Sequence, residues 1–193
     1  SGLLLVIIVL YFNNTILKFG LVLLSFGTIF YGLNLMIGYF DNPELKSKIF
    51  NILLNIGNNK IYGIMLGIII TSIFQSSSAI NGIIVSLAHN NIIKLPVAVA
   101  ISLGSNVGTC ITAFWASLTS NTTSKKLALG HFLFNIIGVI LILIIYDFFI
   151  VIIKFTSNNL FRQIANAHTL FNLINVVFLL PFLNTFVSFL KGE

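Results

Sequence analysis

The sequence predicts an all-α polytopic membrane protein. Hydrophobic residues make up 58% of its 193 positions and charged residues 7%, and the mean hydropathy is +1.07, beyond the range of soluble globular chains. The apolar residues also arrive in runs of spanning length, about 20 residues, separated by polar breaks. A third observation is local. Gln75-Ser76-Ser77-Ser78-Ala79, without a charge, interrupts an apolar run from Ile61 to His89. A bilayer core offers no water to an amide and three hydroxyls, so such a cluster requires a polar partner inside the protein.

Residues 1–12 read as a truncated helix, because Gly2 to Phe12 is apolar but shorter than a span, and the chain looks cut from something longer. It has no basic leading region and no small-residue cleavage motif, so it does not read as a signal peptide. Residues 19–40 make a first full span, with Gly20, Gly27, Gly32 and Gly38 offering small surfaces for close helix contact. Residues 43–57 predict an interfacial amphipathic helix. Asn42-Pro43 starts it, Leu45, Ile49, Ile52, Leu53 and Ile56 share one face, and Gly57 is placed to cap it.

Residues 61–89 are too long for one straight crossing: 29 helical residues extend about 44 Å against a hydrocarbon core of about 30 Å. Cut at the Gln-Ser cluster, they become two arms, Ile61 to Phe74 and Ala79 to His89, of about 21 Å and 17 Å, each too short to cross. A re-entrant helical hairpin with the cluster at its tip is the economical reading. The alternative is a single tilted helix whose serines bond back to its own carbonyls. Residues 95–118 are long enough to cross but carry Gly104-Ser105-Asn106-Val107-Gly108-Thr109 near their centre, which predicts a discontinuous transmembrane helix lining a cavity. Residues 127–146 span, 147–162 form a second break with an apolar middle, and 164–190 span again.

His131-Phe132-Leu133-Phe134-Asn135 echoes His168-Thr169-Leu170-Phe171-Asn172, each with His and Asn four apart on one helical face. These four side chains read as supporting polar groups, bonding either to neighbouring helices or to a bound solute. The single Cys110 leaves no internal disulfide and lacks the spacing of a transition-metal site. Ten Lys and Arg against four acids give a net charge of +6, but they are scattered through the breaks. That pattern meets lipid headgroups and excludes nucleic acid as a partner.

At the Gln-Ser-Ser-Ser-Ala cluster the chain resembles the sodium-dependent phosphate cotransporter family, the type II group whose bacterial members often carry a PhoU-like domain. The likeness extends to Gly67 and Thr71, to Gly104-Ser105-Asn106-Val107-Gly108-Thr109, to Ala128-Leu129-Gly130-His131 with Phe134-Asn135, and to Ile164 through Asn172, in family order. It covers roughly residues 19 to 185. The resemblance implies one half of an inverted-repeat transporter, the C-terminal repeat, performing sodium-coupled inorganic phosphate symport across the plasma membrane. It implies no enzymatic activity and no cofactor beyond co-transported Na⁺. Its partners are then phosphate, sodium, the bilayer, and the missing first repeat of the same protein or, less readily, a second copy.

Phosphate carries one to two negative charges, yet no Lys or Arg lies at the centre of either interrupted element. The sequence therefore assigns the anion to Gln75, Ser76, Ser77, Ser78, Asn106 and Thr109, helped by the backbone N–H groups at the start of the second arm. Sodium supplies the remaining positive charge, on the oxygens of Thr71, Gln75, Ser76, Ser105, Asn106 and Thr109. No carboxylate stands where a proton carrier is needed, which favours Na⁺ over H⁺ coupling. Three alternatives stay open: a transporter of another small anion, a phosphate-sensing module without transport, and an intramembrane serine hydrolase using His131 or His168 as base.

Overall fold

The computed structural model describes residues 15–56 and 59–191, and it is helical, with no strand among the described residues. The truncated helix expected over residues 1–12 and the cap expected at Gly57 lie outside them. Two compact units divide the chain, one ending at Tyr39 and the other beginning at Phe40.

The first unit contains the helix α1, Thr15–Phe40, up to its last residue, which counts with the second. Two of its hydroxyls bond back to the helix itself: Ser25 Oγ donates to the Leu21 carbonyl and Thr28 Oγ1 to the Ser25 carbonyl, both at 2.8 Å. No described atom lies within 4 Å of a methyl built on Gly20, Gly27, Gly32 or Gly38.

The second unit opens with α2, Pro43–Ile56. Asn42 Oδ1 accepts from the Glu44 and Leu45 N–H groups at 3.0 and 3.3 Å, Pro43 starts the helix, and Ile49 and Leu53 turn toward the core. The run 61–89 becomes two helices, α3 (Lys60–Phe74) and α4 (Ser77–His89), so the continuous tilted helix is excluded. At 15 and 13 residues each arm extends about 20 Å, less than a bilayer core.

The central element is α5, Leu95–Ser117, and it is unbroken. This corrects the expected discontinuous helix. The glycines serve close approach: a Cβ on Gly104 sits 2.0 Å from the Ile64 carbonyl oxygen, and one on Gly67 sits 2.1 Å from that of Ile101. Gly63 meets Ala100, and Gly108 meets Ile68 and Thr71. The contacts advance together in both sequences, so α3 and α5 run parallel along matched rows of small residues, Gly63-Gly67-Thr71 against Ala100-Gly104-Gly108. The polar side chains between those glycines bond back to the helix that carries them, leaving no backbone group to be freed.

Two long helices complete the unit. α6, Thr122–Ile144, begins five residues before the expected span because Asn121 Oδ1 accepts from the Ser124 N–H at 2.8 Å. The second break folds into α7, Tyr146–Phe155, which buries Tyr146, Phe149, Ile150 and Ile153. Asn159 then caps α8, Leu160–Leu179, through the Phe161 and Arg162 N–H groups, so this span starts at Leu160 and not at Ile164. A 3₁₀ turn at Leu180–Phe182, containing Pro181, leads to α9, Leu183–Lys191. Gly138 packs under Asn175 and Gly130 under Leu190, so α8 and α9 run antiparallel to α6. Four stretches are long and apolar enough to cross a membrane: Lys18–Phe40, Leu95–Ser117, Thr122–Ile144 and Leu160–Leu190.

Candidate functional site

The Gln-Ser cluster is where the chain changes direction. Gln75 ends α3 in the left-handed region, φ 56 and ψ 24, with its N–H on the Thr71 carbonyl at 2.7 Å. A non-glycine residue held there costs on the order of 1–3 kcal/mol, which the packed arms must sustain. Ser76 is extended and caps α4, its Oγ accepting from the Ala79 N–H at 3.2 Å. The Ile80 N–H reaches the Ser76 carbonyl, while the N–H groups of Ser77 and Ser78 have no acceptor among the described residues. Gln75 and Ser78 are exposed, and Ser76 and Ser77 are half-buried.

From this tip a chain of hydrogen bonds runs inward. Asn81 Nδ2 donates to the Ser77 carbonyl at 2.9 Å, and its Oδ1 accepts from Ser102 Oγ of α5 at 2.7 Å. The Ser102 carbonyl accepts from Ser105 Oγ at 2.7 Å and from Asn106 Nδ2 at 3.0 Å; Thr109 Oγ1 donates to the Ser105 carbonyl at 3.0 Å. Because the Ser102 carbonyl is an acceptor, Asn106 must turn its nitrogen toward it. Its oxygen, like the lone pairs of the two hydroxyls, is left to face elsewhere. Thr71, opposite Gly108, is wholly buried and its hydroxyl has no hydrogen-bond partner among the described residues. Apart from Lys60 at the start of α3, the helices α3, α4 and α5 contain no Lys, Arg, Asp or Glu.

These elements, in this order, can be compared with known proteins. Residues 44–180 match the Na+/Pi-cotransporter family. The chain belongs to that family. Over 124 residues it is 34% identical to the uncharacterized protein YqeW of Bacillus subtilis, covering 61% of this chain and 40% of that protein. It is 38% identical over 84 residues to sodium-dependent phosphate transport protein 2A of Oryctolagus cuniculus, 42% of this chain and 13% of the relative. It is 42% identical over 82 residues to protein 2B of Rattus norvegicus, 40% of this chain and 12% of the relative. The chain thus spans less than half the length of each of these relatives. No solved structure matches it.

In this member of the cotransporter family the two His-Asn pairs sit differently. Asn135 Nδ2 donates to the His131 carbonyl at 3.0 Å and lies 3.1 Å from Cys110 Sγ, whose thiol donates to the Asn106 carbonyl at 3.2 Å. Asn135 and the backbone of His131 therefore join the inward chain, whereas the His131 side chain is exposed. Asn172 Nδ2 likewise donates to the His168 carbonyl at 2.9 Å, but no hydrogen bond among the described residues joins that pair to the tip. His168 Nδ1 and Asn175 Oδ1 are buried without hydrogen-bond partners among the described residues.

The far end of α3 meets ionic and aromatic partners. Lys60 Nζ, 3.4 Å from the Leu143 carbonyl and 4.0 Å from Asp147, also faces the Tyr146 ring at 5.0 Å. The Tyr146 hydroxyl donates to the Pro96 carbonyl at the start of α5. Burial and then the Asp147 carboxylate push that phenol above its usual range, so it stays a neutral donor.

Sequence reasoning missed Asn81 and Ser102. A signal for Ser102 was present: Ser102, Ser105, Asn106 and Thr109 follow the i, i+3, i+4, i+7 spacing of one helical face. Reading the segment as broken at Gly104 hid that stripe.

Proposed function

We propose that this chain supplies one of two repeats of a sodium-coupled inorganic phosphate symporter in the plasma membrane, the repeat nearer the C-terminus. The observation that carries this reading is the separation of hydrogen-bonding character across the site. The tip presents donors: the Ser77 and Ser78 N–H groups at the positive end of α4, the Gln75 amide and the serine hydroxyls, which suit an anion. α5 presents oxygens, from Ser105, Asn106 and Thr109, and α3 adds Thr71, which suit a hard cation.

Phosphate is held by Gln75 and Ser76 to Ser78, while sodium takes the oxygens of Thr71, Gln75, Ser76, Ser105, Asn106 and Thr109 and through them links the anion to Asn106 and Thr109, which donate back to the Ser102 and Ser105 carbonyls. Apart from Lys60 at the opposite end of α3 from the tip, no fixed cation stands in these helices, so each sodium ion offsets charge that the helix dipole alone leaves uncompensated. Binding of one ion then favours the other. The hairpin enters the membrane without crossing it, and the exposed Gln75 and Ser78 are covered by the opposite repeat, from elsewhere in the same protein or from a second copy.

The test is radiolabelled phosphate uptake by the full-length protein in liposomes. Uptake follows an imposed sodium gradient and persists when a protonophore collapses the proton gradient. Gln75→Ala or a serine-to-alanine change at the tip lowers apparent affinity roughly ten- to hundredfold, the effect of losing a hydrogen bond to a charged ligand. Equal uptake from a pH gradient in sodium-free buffer, or unaltered kinetics in all four alanine variants, overturns the assignment. Robust uptake by the isolated chain as a monomer overturns the half-site.

A further inference from the structure

The donors at the tip and the oxygens on α5 belong to different helices, yet symport requires them to keep a defined separation. Asn81 joins both. Its amide nitrogen bonds the carbonyl of Ser77, one of the two residues whose N–H groups are free, and its oxygen accepts from Ser102, which is 2% exposed. The carbonyl of that same Ser102 fixes the side chains of Ser105 and Asn106. One side chain therefore stands between the donor end and the oxygen-bearing stripe, and both ends of its amide are used.

We propose that Asn81 is a positioning residue of the symport site, setting the register of the first turn of α4 against α5 through Ser102 without itself touching either ion. The proposal rests on the symport reading given above. A leucine at this position keeps the branched arrangement of heavy atoms and removes both bonds; Ser102→Ala removes only the bond to Asn81. With either change α4 is free to shift along α5, and the tip donors move away from Asn106 and Thr109. The double variant is no worse than the worse single one, because both act through the same contact.

The experiment has two readouts on the full-length protein. The first is sodium-driven phosphate uptake at matched surface expression: Asn81→Leu and Ser102→Ala each raise the apparent KM for phosphate about tenfold with Vmax within about twofold, and the effects do not add. The second needs no substrate: the rate at which a hydrophilic thiol reagent labels Ser78→Cys rises about fivefold when either change is added. Cys110 is wholly buried and does not compete. Additive effects, a fall confined to Vmax, or an unchanged labelling rate overturns the proposal. Should Asn81→Leu fail to reach the membrane, Ser102→Ala alone decides on the same two readouts. If the unmodified protein takes up no phosphate but labelling still responds to both changes, the positioning role stands and the phosphate reading falls.

Discussion

Two polar interruptions of apolar sequence meet opposite fates in this molecule. Gln75 to Ser78 breaks a helix, whereas Gly104 to Thr109 lies inside one. The difference is angular. Four consecutive polar residues point in four directions about 100° apart, so no single neighbour can cover them and the backbone turns aside. In α5 the residues alternate in use: Gly104 and Gly108 receive α3, while Ser105, Asn106 and Thr109 return their donors to carbonyls one turn earlier. A polar segment therefore breaks a membrane helix when its demands exceed what its own carbonyls and one close neighbour can meet.

The sharpest way to break this comparison is to remove the close approach. Gly104→Leu drives a side chain into the Ile64 carbonyl, and we expect a loss of about 3 kcal/mol or more, at the upper end of overpacking costs, seen as a collapsed melting temperature in detergent. Gly32→Ala in α1, where no described atom lies within 4 Å, should cost nothing and stabilise the helix by up to about 1 kcal/mol, the propensity difference between the two residues. Equal effects at the two positions would show that the α3–α5 contact does not hold the helix together.

The broken element has its own test. Ser76→Ala removes the cap of α4 and should cost about 1 kcal/mol. Gln75→Gly should act in the opposite sense, stabilising the protein by up to about 1 kcal/mol by relieving the left-handed conformation, while phosphate uptake falls. A stability loss in Gln75→Gly would mean that the glutamine side chain contributes more to the fold than to the site. A small effect is expected at Lys60→Met. Its carboxylate partner Asp147 is almost fully exposed, so less than about 1 kcal/mol is at stake in thermal unfolding.

The break in the run 61–89 was legible because its polar residues are contiguous and uncharged, and because the two helices on either side are each shorter than a bilayer. The break falls between Phe74 and Ser77, within the cluster the sequence singles out. Asn81 was not legible. A lone asparagine one turn beyond a serine run carries no mark of which helix it will meet, and Ser102, its partner, is 21 residues away. The His-Asn echo was visible as a pattern, but the sequence left its partners open, since the same spacing serves a bond to the helix itself, to a neighbour, or to a solute.

Composition and run length alone determined that this is a helical membrane protein with a polar cluster needing a partner, since those properties follow from local transfer energies that no packing arrangement reverses. Whether a glycine loosens a helix or admits another depends on what lies opposite it. Gly67 and Gly104 acquire their meaning from the carbonyls of Ile101 and Ile64, brought against them only when α3 and α5 run parallel. That pairing is a property of the folded chain, so the tertiary structure decided that α5 stays whole and that the oxygens of Ser105, Asn106 and Thr109 form one stripe linked through Asn81 to the tip.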